Sequence, residues 1–400
     1  MKRIYLDYSA TTPVHPEVVK AMLPYFTEQF GNASTIYSFG REARKAVEEA
    51  REVFAKMIGA DQAEVIFTSG GTEADNHALK GVARANREKG NHIITCKIEH
   101  HAVLAPCHFL EKEGFKVTYL PVDKDGLLQL EDLKKAITAK TILISVMTAN
   151  NEIGVVQPVA EIGKIARGNN VYFHTDAVQA FGSLPIDVEK MNIDLLSVSS
   201  HKLYGPKGIG ALYIKKGTKI ENLIHGGEQE KRRRPGTENV AGIAGFGRAC
   251  EIANKEMKTE AVRITALREK LIKGLFKAVP EVILNGHAEK RLPNNVNIFV
   301  KYIEGESMIL NLDLEGICAS TGSACTSGSL EPSHVLTALG VPVEQSHGSI
   351  RFSLGKFTTE EEIEAVLKKF PEIVKRLRSL SPLYKQGKTG ECCKNGTACR

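Results

Sequence analysis

The feature that most restricts the fold of this chain is a repeated alternation of strand-like and helix-like sequence between about residues 60 and 215. Short β-rich runs occur at 65–68, 92–96, 116–120, 141–146, 171–175, 194–198 and 210–214. Several are nearly continuous apolar runs, the pattern of strands covered on both faces. Helical spacing fills the intervals, for example over 73–86 and 102–112. This alternation predicts an α/β architecture with a mostly parallel, seven-stranded sheet covered by helices. In such sheets ligands bind outside the carboxyl ends of the strands.

The texture then changes. A long helical pattern covers 240–278 and stops near Pro280, followed by a strand at 296–300 and a helix at 306–314. A Gly/Ser-rich loop at 320–329, a strand at 349–354 and a last helix at 359–380 complete a second, smaller α+β domain, which the N-terminal residues are expected to join. Beyond Pro382 the composition is that of a flexible tail. The 400 residues, 42% hydrophobic and 25% charged, are ample for a large core. No apolar run is long enough to span a membrane, and Met1-Lys2-Arg3-Ile4-Tyr5 leads straight into strand-like sequence without a secretory core, so a cytoplasmic protein is expected.

The net charge of +6 is spread along the chain. Its one dense basic run, Lys231-Arg232-Arg233-Arg234, is flanked by Glu228, Glu230 and Glu238 and lacks interleaved aromatics. Nucleic-acid binding is therefore not expected, and the run reads as a solvated loop or an anion or subunit contact. Of the eight cysteines, Cys96, Cys107 and Cys250 sit in apolar context as core residues, and no disulfide framework is expected. Cys392, Cys393 and Cys399 crowd the tail. They lack the spacing of a metal site.

Chemistry concentrates at the predicted strand ends. Ser199-Ser200-His201-Lys202 follows one strand, and Asp176-Ala177-Val178-Gln179 follows its neighbour. A lysine amine beside an aspartate is what a pyridoxal phosphate enzyme needs. The amine condenses with the cofactor aldehyde, and the carboxylate keeps the pyridine nitrogen protonated. Ser69-Gly70-Gly71-Thr72-Glu73 ends a strand and opens a helix, as either a phosphate cradle or an ordinary helix cap. Ser199 and His201 can donate to the same phosphate. His100, in Glu99-His100-His101, suits stacking on a planar ring or acid–base work, and no matching ligands for a metal lie nearby. Asn150-Asn151-Glu152 reads either as a polar turn or as donors to a cofactor or substrate oxygen. Cys325 sits in Ser320-Thr321-Gly322-Ser323-Ala324-Cys325-Thr326-Ser327-Gly328-Ser329, as either an available nucleophile or an incidental surface thiol. Arg351, on a later strand, suits a substrate carboxylate or an ordinary salt bridge.

Together these motifs resemble the cysteine desulfurases, fold-type I pyridoxal phosphate enzymes, and in particular the branch whose long catalytic-cysteine loop supplies sulfur for iron–sulfur clusters. The resemblance runs from Tyr5-Leu6-Asp7-Tyr8-Ser9-Ala10-Thr11-Thr12-Pro13 to about Pro382. It implies a cofactor-binding domain over 15–257, a small domain from 1–14 and 258–382 carrying the loop 320–329, and a tail at 383–400. It implies that Lys202 holds the cofactor and shuttles a proton, Asp176 meets the ring nitrogen, and Gln179 and Asn151 meet the ring oxygen. His100 would stack on the ring. Gly71, Thr72, Ser199 and His201 would bind the phosphate, with Thr237 reaching in from the other subunit of a homodimer. Arg351, Asn151 and Asn32 would hold the carboxylate of L-cysteine, and Cys325 would take its sulfur and pass it to an acceptor such as an iron–sulfur scaffold. A selenocysteine lyase or another pyridoxal phosphate enzyme of the same fold, such as an aminotransferase, and a non-catalytic docking scaffold are the alternatives. Against the common pattern the chain carries Tyr37, His101 and Glu228, positions that bear on loop contacts.

Overall fold

The computed structural model describes residues 3–321, 332–342, 347–382 and 384, so the loop bearing Cys325 and the three tail cysteines lie outside the described residues. The chain forms two compact units, one of Thr11–Asn151 and Val155–Ala261, the other of Met1–Ala10, Glu152–Gly154 and Val262–Arg400.

The first strand, β1 (Ile4–Tyr5), belongs to the smaller unit. The larger unit then runs α1 (Pro16–Met22), α2 (Pro24–Thr27), α3 (Ser38–Ile58), β2 (Val65–Thr68), α4 (Gly71–Ala85), β3 (His92–Cys96), α5 (His101–Lys112) and β4 (Lys116–Leu120). It continues through α6 (Leu130–Ala136), β5 (Thr141–Ser145), α7 (Val159–Gly168), β6 (Tyr172–Asp176), β7 (Leu195–Ser199) and β8 (Gly210–Ile214). The seven strands form one sheet in the order β2-β8-β7-β6-β5-β3-β4. All neighbouring pairs are parallel except the two made by β8, which lies antiparallel between β2 and β7. This is the mostly parallel α/β sheet that the sequence predicts.

The strands are apolar because both faces are covered: every residue of β3, β5, β7 and β8 is buried. One face receives α4 and α5, whose Leu79, Val82, Val103 and Leu110 pack with Ile66, Ile93, Leu143 and Leu212 of the sheet. Each such side chain contributes about 1.5–3 kcal/mol on burial. β6 and β7 run one residue further than their apolar pattern, to Asp176 and Ser199. The backbone ladder sets a strand's end, and Thr148 N–H still donates to Asp176 C=O at 2.8 Å.

The division between units falls within α8 (Val240–Ala278). The smaller unit adds β9 (Val282–Leu284), β10 (Asn295–Val300), α9 (Gly305–Leu314), β11 (Ile317–Cys318), α10 (His334–Ala338), β12 (Ser349–Ser353) and α11 (Glu360–Leu380). β10 pairs antiparallel with β9 and β12, and β1 pairs parallel with β11. Its core joins Leu6, Val296, Ile298, Leu312, Ile350, Phe352, Ile363 and Phe370. Thr359 caps α11 by accepting from Glu362 N–H, and the Glu362 carboxylate accepts from Thr359 N–H in return.

Candidate active site

Parallel strands bring their carboxyl ends to one edge, and that edge collects most of the residues singled out from the sequence. β6 ends in Asp176, β7 in Ser199, and a single turn of 3-10 helix (Ser200–Lys202) presents Lys202 directly after β7. Thr68 at the end of β2 and Ser199 at the end of β7 both pair with Gly210. This register sets the start of α4 beside Ser199.

That start is shaped as a cradle. Ala74 N–H donates to Gly70 C=O at 3.1 Å, which leaves the earlier N–H groups of α4 without intrahelical carbonyls. Gly70 has φ 154, and a Cβ there would stand 3.7 Å from Ser199 Oγ. At Gly71 a Cβ would lie 2.7 Å from Val178 Cγ2. Side chains at these positions would fill the space in front of the helix N-terminus, where an anion is favoured. Glu73 closes the turn by accepting from Ser69 N–H at 2.9 Å, and Arg234 donates to it at 2.9 and 3.3 Å. The basic run thus holds the cradle from outside, with Arg232 paired to Glu228 and Lys231 donating to Gln62 C=O.

Asp176 is buried and accepts from Val178 N–H at 2.8 Å. Burial, reinforced by Asp75, lifts its carboxyl to about 8, against the opposing effects of the Val178 N–H, His174 and Lys202. Among the described residues no cation forms an ion pair with it. Behind it lies a buried polar network. His174 lies between Ser145 Oγ (2.8 Å from Nδ1) and Ser197 Oγ (2.9 Å from Nε2), with Asp75 Oδ1 3.5 Å from Nε2. Burial pulls His174 down to about 4, so the ring is neutral, and lifts Asp75 to about 7 against the Ser197 hydroxyl. Glu99, also fully buried, accepts from Met147 N–H at 2.8 Å and is raised well above the carboxylate range, first by burial.

His100 caps α5: its Nδ1 accepts from Ala102 N–H at 3.1 Å, which puts the ring proton on Nε2. His201 Nδ1 lies 3.1 Å from Thr11 Oγ1, and its carbonyl accepts from Thr12 N–H and Oγ1–H. Burial and the neighbouring Lys202 and Lys207 pull its imidazole down to about 4.

A buried carboxyl with which no described residue forms an ion pair, close to Lys202 and a helix-borne anion cradle, suits a phosphorylated ring with a protonated nitrogen. Comparison with known proteins agrees. The family model described as aminotransferase class-V matches residues 4–366. A cysteine desulfurase IscS of Dictyoglomus turgidum is 59% identical over 387 residues, covering 96% of this chain and 98% of that protein. One from Methanosarcina thermophila is 59% identical over 382 residues, covering 96% and 94%. A solved structure of a NifS-like protein superposes with a TM-score of 0.89 at 41% identity, covering 94% of this chain and 100% of the other. The chain belongs to the cysteine desulfurases of the class-V aminotransferase family.

The cofactor of this class-V family is pyridoxal phosphate, and the residues present fit it: Asp176 offers a negative charge to a ring N–H, and Gly70 and Gly71 keep the cradle open. Asn151 and Gln179 follow β5 and β6, both half-buried. Thr237 is exposed, and so is Asn32, whose Oδ1 accepts from Ser34 N–H. Arg351 belongs to the smaller unit, on β12, and Cys325 lies outside the described residues.

The sequence reading passed over Asp75 and His174 as members of the site. A signal for Asp75 was present, because α4 places it on the same face as Ala78, Leu79 and Val82. A carboxylate on an apolar helix face is buried against something, and here it is the polar network behind Asp176.

Proposed function

We propose that this cysteine desulfurase converts L-cysteine to L-alanine with the residues gathered at the ends of β6 and β7, and moves the sulfur through Cys325. The observation that carries the reading is the buried Asp176, which makes no ion pair among the described residues, close to Lys202 and the α4 cradle. When bound, pyridoxal phosphate withdraws electrons from the substrate, so that the Cα proton becomes acidic and the Cβ–Sγ bond cleavable.

Lys202 holds the cofactor through its amine and then carries the Cα proton. Asp176 would hold the proton on the ring nitrogen, Asn151 and Gln179 would hold the ring oxygen, and His100 would stack on the ring. Gly71, Thr72, Ser199 and His201 bind the phosphate, with neutral His201 donating rather than adding charge. Arg351, Asn151 and Asn32 hold the substrate carboxylate. The Cys325 thiolate attacks the substrate Sγ. The new S–S bond leaves a persulfide on Cys325, the Cβ–Sγ electron pair stays with carbon, and a proton completes alanine. A sulfur-acceptor protein for iron–sulfur cluster assembly then takes the terminal sulfur.

The proposed assembly is a homodimer in which Thr237 reaches the second subunit's phosphate. Support comes from the exposed apolar side chains Leu23, Phe26, Phe30, Ile36 and Tyr37, which fall close together in sequence and suit burial against a second copy. A cytoplasmic location is proposed, since reduced thiols persist there and Cys96, Cys107, Cys250 and Cys318 are all free.

The test is a Cys325→Ala variant. It should keep the visible absorption of the bound cofactor and lose cysteine-dependent sulfide and alanine. Full desulfurase activity in that variant would sink the assignment of Cys325.

A further inference from the structure

We propose that Asp7 is the positioning residue that fixes Arg351 for the substrate carboxylate, an inference that rests on Arg351 having the role given above. Both residues belong to the smaller unit. Arg351 Nη2 donates to Asp7 Oδ1 at 2.7 Å, and the arginine side chain is almost fully buried, with 3% exposure against 18% for Asp7.

The backbone on either side of this contact is tied down. Arg351 faces Asn297 in the ladder between β12 and β10, and on its other side exchanges two hydrogen bonds with Ser320, at 2.6 and 3.2 Å. Asp7 is held as firmly. Its carbonyl accepts from Tyr5 Oη and from Ala10 N–H, both at 3.0 Å. The residues beside it bond to Ser353, two positions along β12: Ser353 N–H donates to Leu6 C=O at 2.8 Å, and Tyr8 N–H to Ser353 C=O at 3.2 Å.

With both backbones fixed, the freedom left to Arg351 is that of its long side chain, which is large for an arginine. A directed, charge-assisted bond from Asp7 removes much of that freedom before substrate arrives. The guanidinium has five donors, so one carboxylate does not exhaust it. Asp7 also opposes the substrate carboxylate by charge. Orientation should dominate, because the bond is short and directional, whereas Asp7 at 18% exposure has its long-range repulsion screened by water.

The test titrates holoenzyme carrying Cys325→Ala, which prevents turnover, with L-cysteine and with cysteamine, which lacks the carboxylate, following the visible spectrum. Asp7→Ala should weaken L-cysteine binding by about tenfold, while Asp7→Asn, which keeps an acceptor for Nη2, should stay within about threefold. Cysteamine binding should change less than about twofold in either variant, because no carboxylate is there to orient. Unchanged or tighter L-cysteine binding in Asp7→Ala overturns the proposal, and so does an equal loss for cysteamine, which would mark a general structural role. Arg351→Ala in the same background separates the two claims. If it leaves L-cysteine binding unchanged, the role of Arg351 itself fails; if it weakens L-cysteine and Asp7→Ala does not, only the role of Asp7 fails.

Discussion

Two carboxylates in the larger unit are equally hidden and do opposite things. Glu230 and Asp176 are each 6% exposed. Glu230 is saturated: Arg51 Nη1 and Nη2 donate to its two oxygens at 2.7 and 2.8 Å, and Phe67 N–H adds a third bond at 2.7 Å. Arg51 is satisfied in turn by Val65 C=O and Glu48. Asp176 has one backbone donor and no ion pair among the described residues, so burial and the nearby Asp75 outweigh His174 and Lys202 and its proton is held to about 8. Where the chain supplies the counter-charge, the buried carboxylate is a structural pin. Where it withholds one, the carboxyl keeps its proton until a ligand brings a cation. The pin also has a visible task, since Glu230, Lys231 and Arg232 all adopt left-handed backbone (φ 49, 59 and 66), which costs about 1–3 kcal/mol per residue outside glycine. The Arg51 pair holds that turn in place just ahead of Arg234 and Thr237.

The largest effect that would break the comparison lies at Asp176. If its charge is reserved for the ring nitrogen, Asp176→Ala should lower kcat for L-cysteine by at least ~10³-fold, because an aimed charge in a dry site is among the strongest catalytic contributions. Its thermal stability without cofactor should not fall, since a carboxylate with no cation is being removed. A variant that retains more than a tenth of the activity would show that Asp176 is as structural as Glu230.

The reverse holds for Arg51. Removing it leaves Glu230 buried without its cation, so Arg51→Ala should cost about 3–5 kcal/mol in denaturant unfolding, while joint replacement of both partners by apolar residues should cost much less. A single variant as stable as the parent would mean that Glu230 finds water instead. Loss of stability should come with weakened phosphate binding, because Arg234, on the same turn, anchors Glu73 at the cradle.

These two carboxylates were not equally legible in the sequence. Asp176 and Lys202 each follow an apolar run, and a parallel sheet delivers such run ends to one edge, so their placement together there was readable from the periodicity of the strands. Glu230 sits in Gln229-Glu230-Lys231-Arg232-Arg233, and nothing local distinguishes it from the exposed Lys231 and Arg232 beside it. Its burial depends on Arg51, 179 positions earlier. Asp7 and Arg351 stand 344 positions apart, so their pairing too is set by tertiary structure alone. The His174 network needed the relative register of β5, β6 and β7, which apolar patterning does not specify when every residue is buried. Local pattern therefore brought the candidate residues to one edge, and long-range pairing decided which charges were left there.

The smallest effect is also the sharpest test of withheld charge. The Asp176 carboxyl is raised from an ordinary 3.8 to about 8 in the folded chain, so between those values the native state binds more protons than the unfolded state. Stability must then fall as pH rises through that window, being fullest below the unfolded value and lost above the folded one. Asp75, raised to about 7, acts in the same direction. Enzyme stripped of pyridoxal phosphate should therefore lose melting temperature from about pH 6 to pH 9, and Asp176→Asn, which cannot ionise, should lose less, by a difference on the order of 3 °C. Bound cofactor should abolish that difference for the wild-type carboxylate, since a protonated ring nitrogen supplies an ion pair that no described residue makes. Parallel curves for the stripped wild type and Asp176→Asn would mean that Asp176 is already compensated by the protein, and the contrast with Glu230 would collapse.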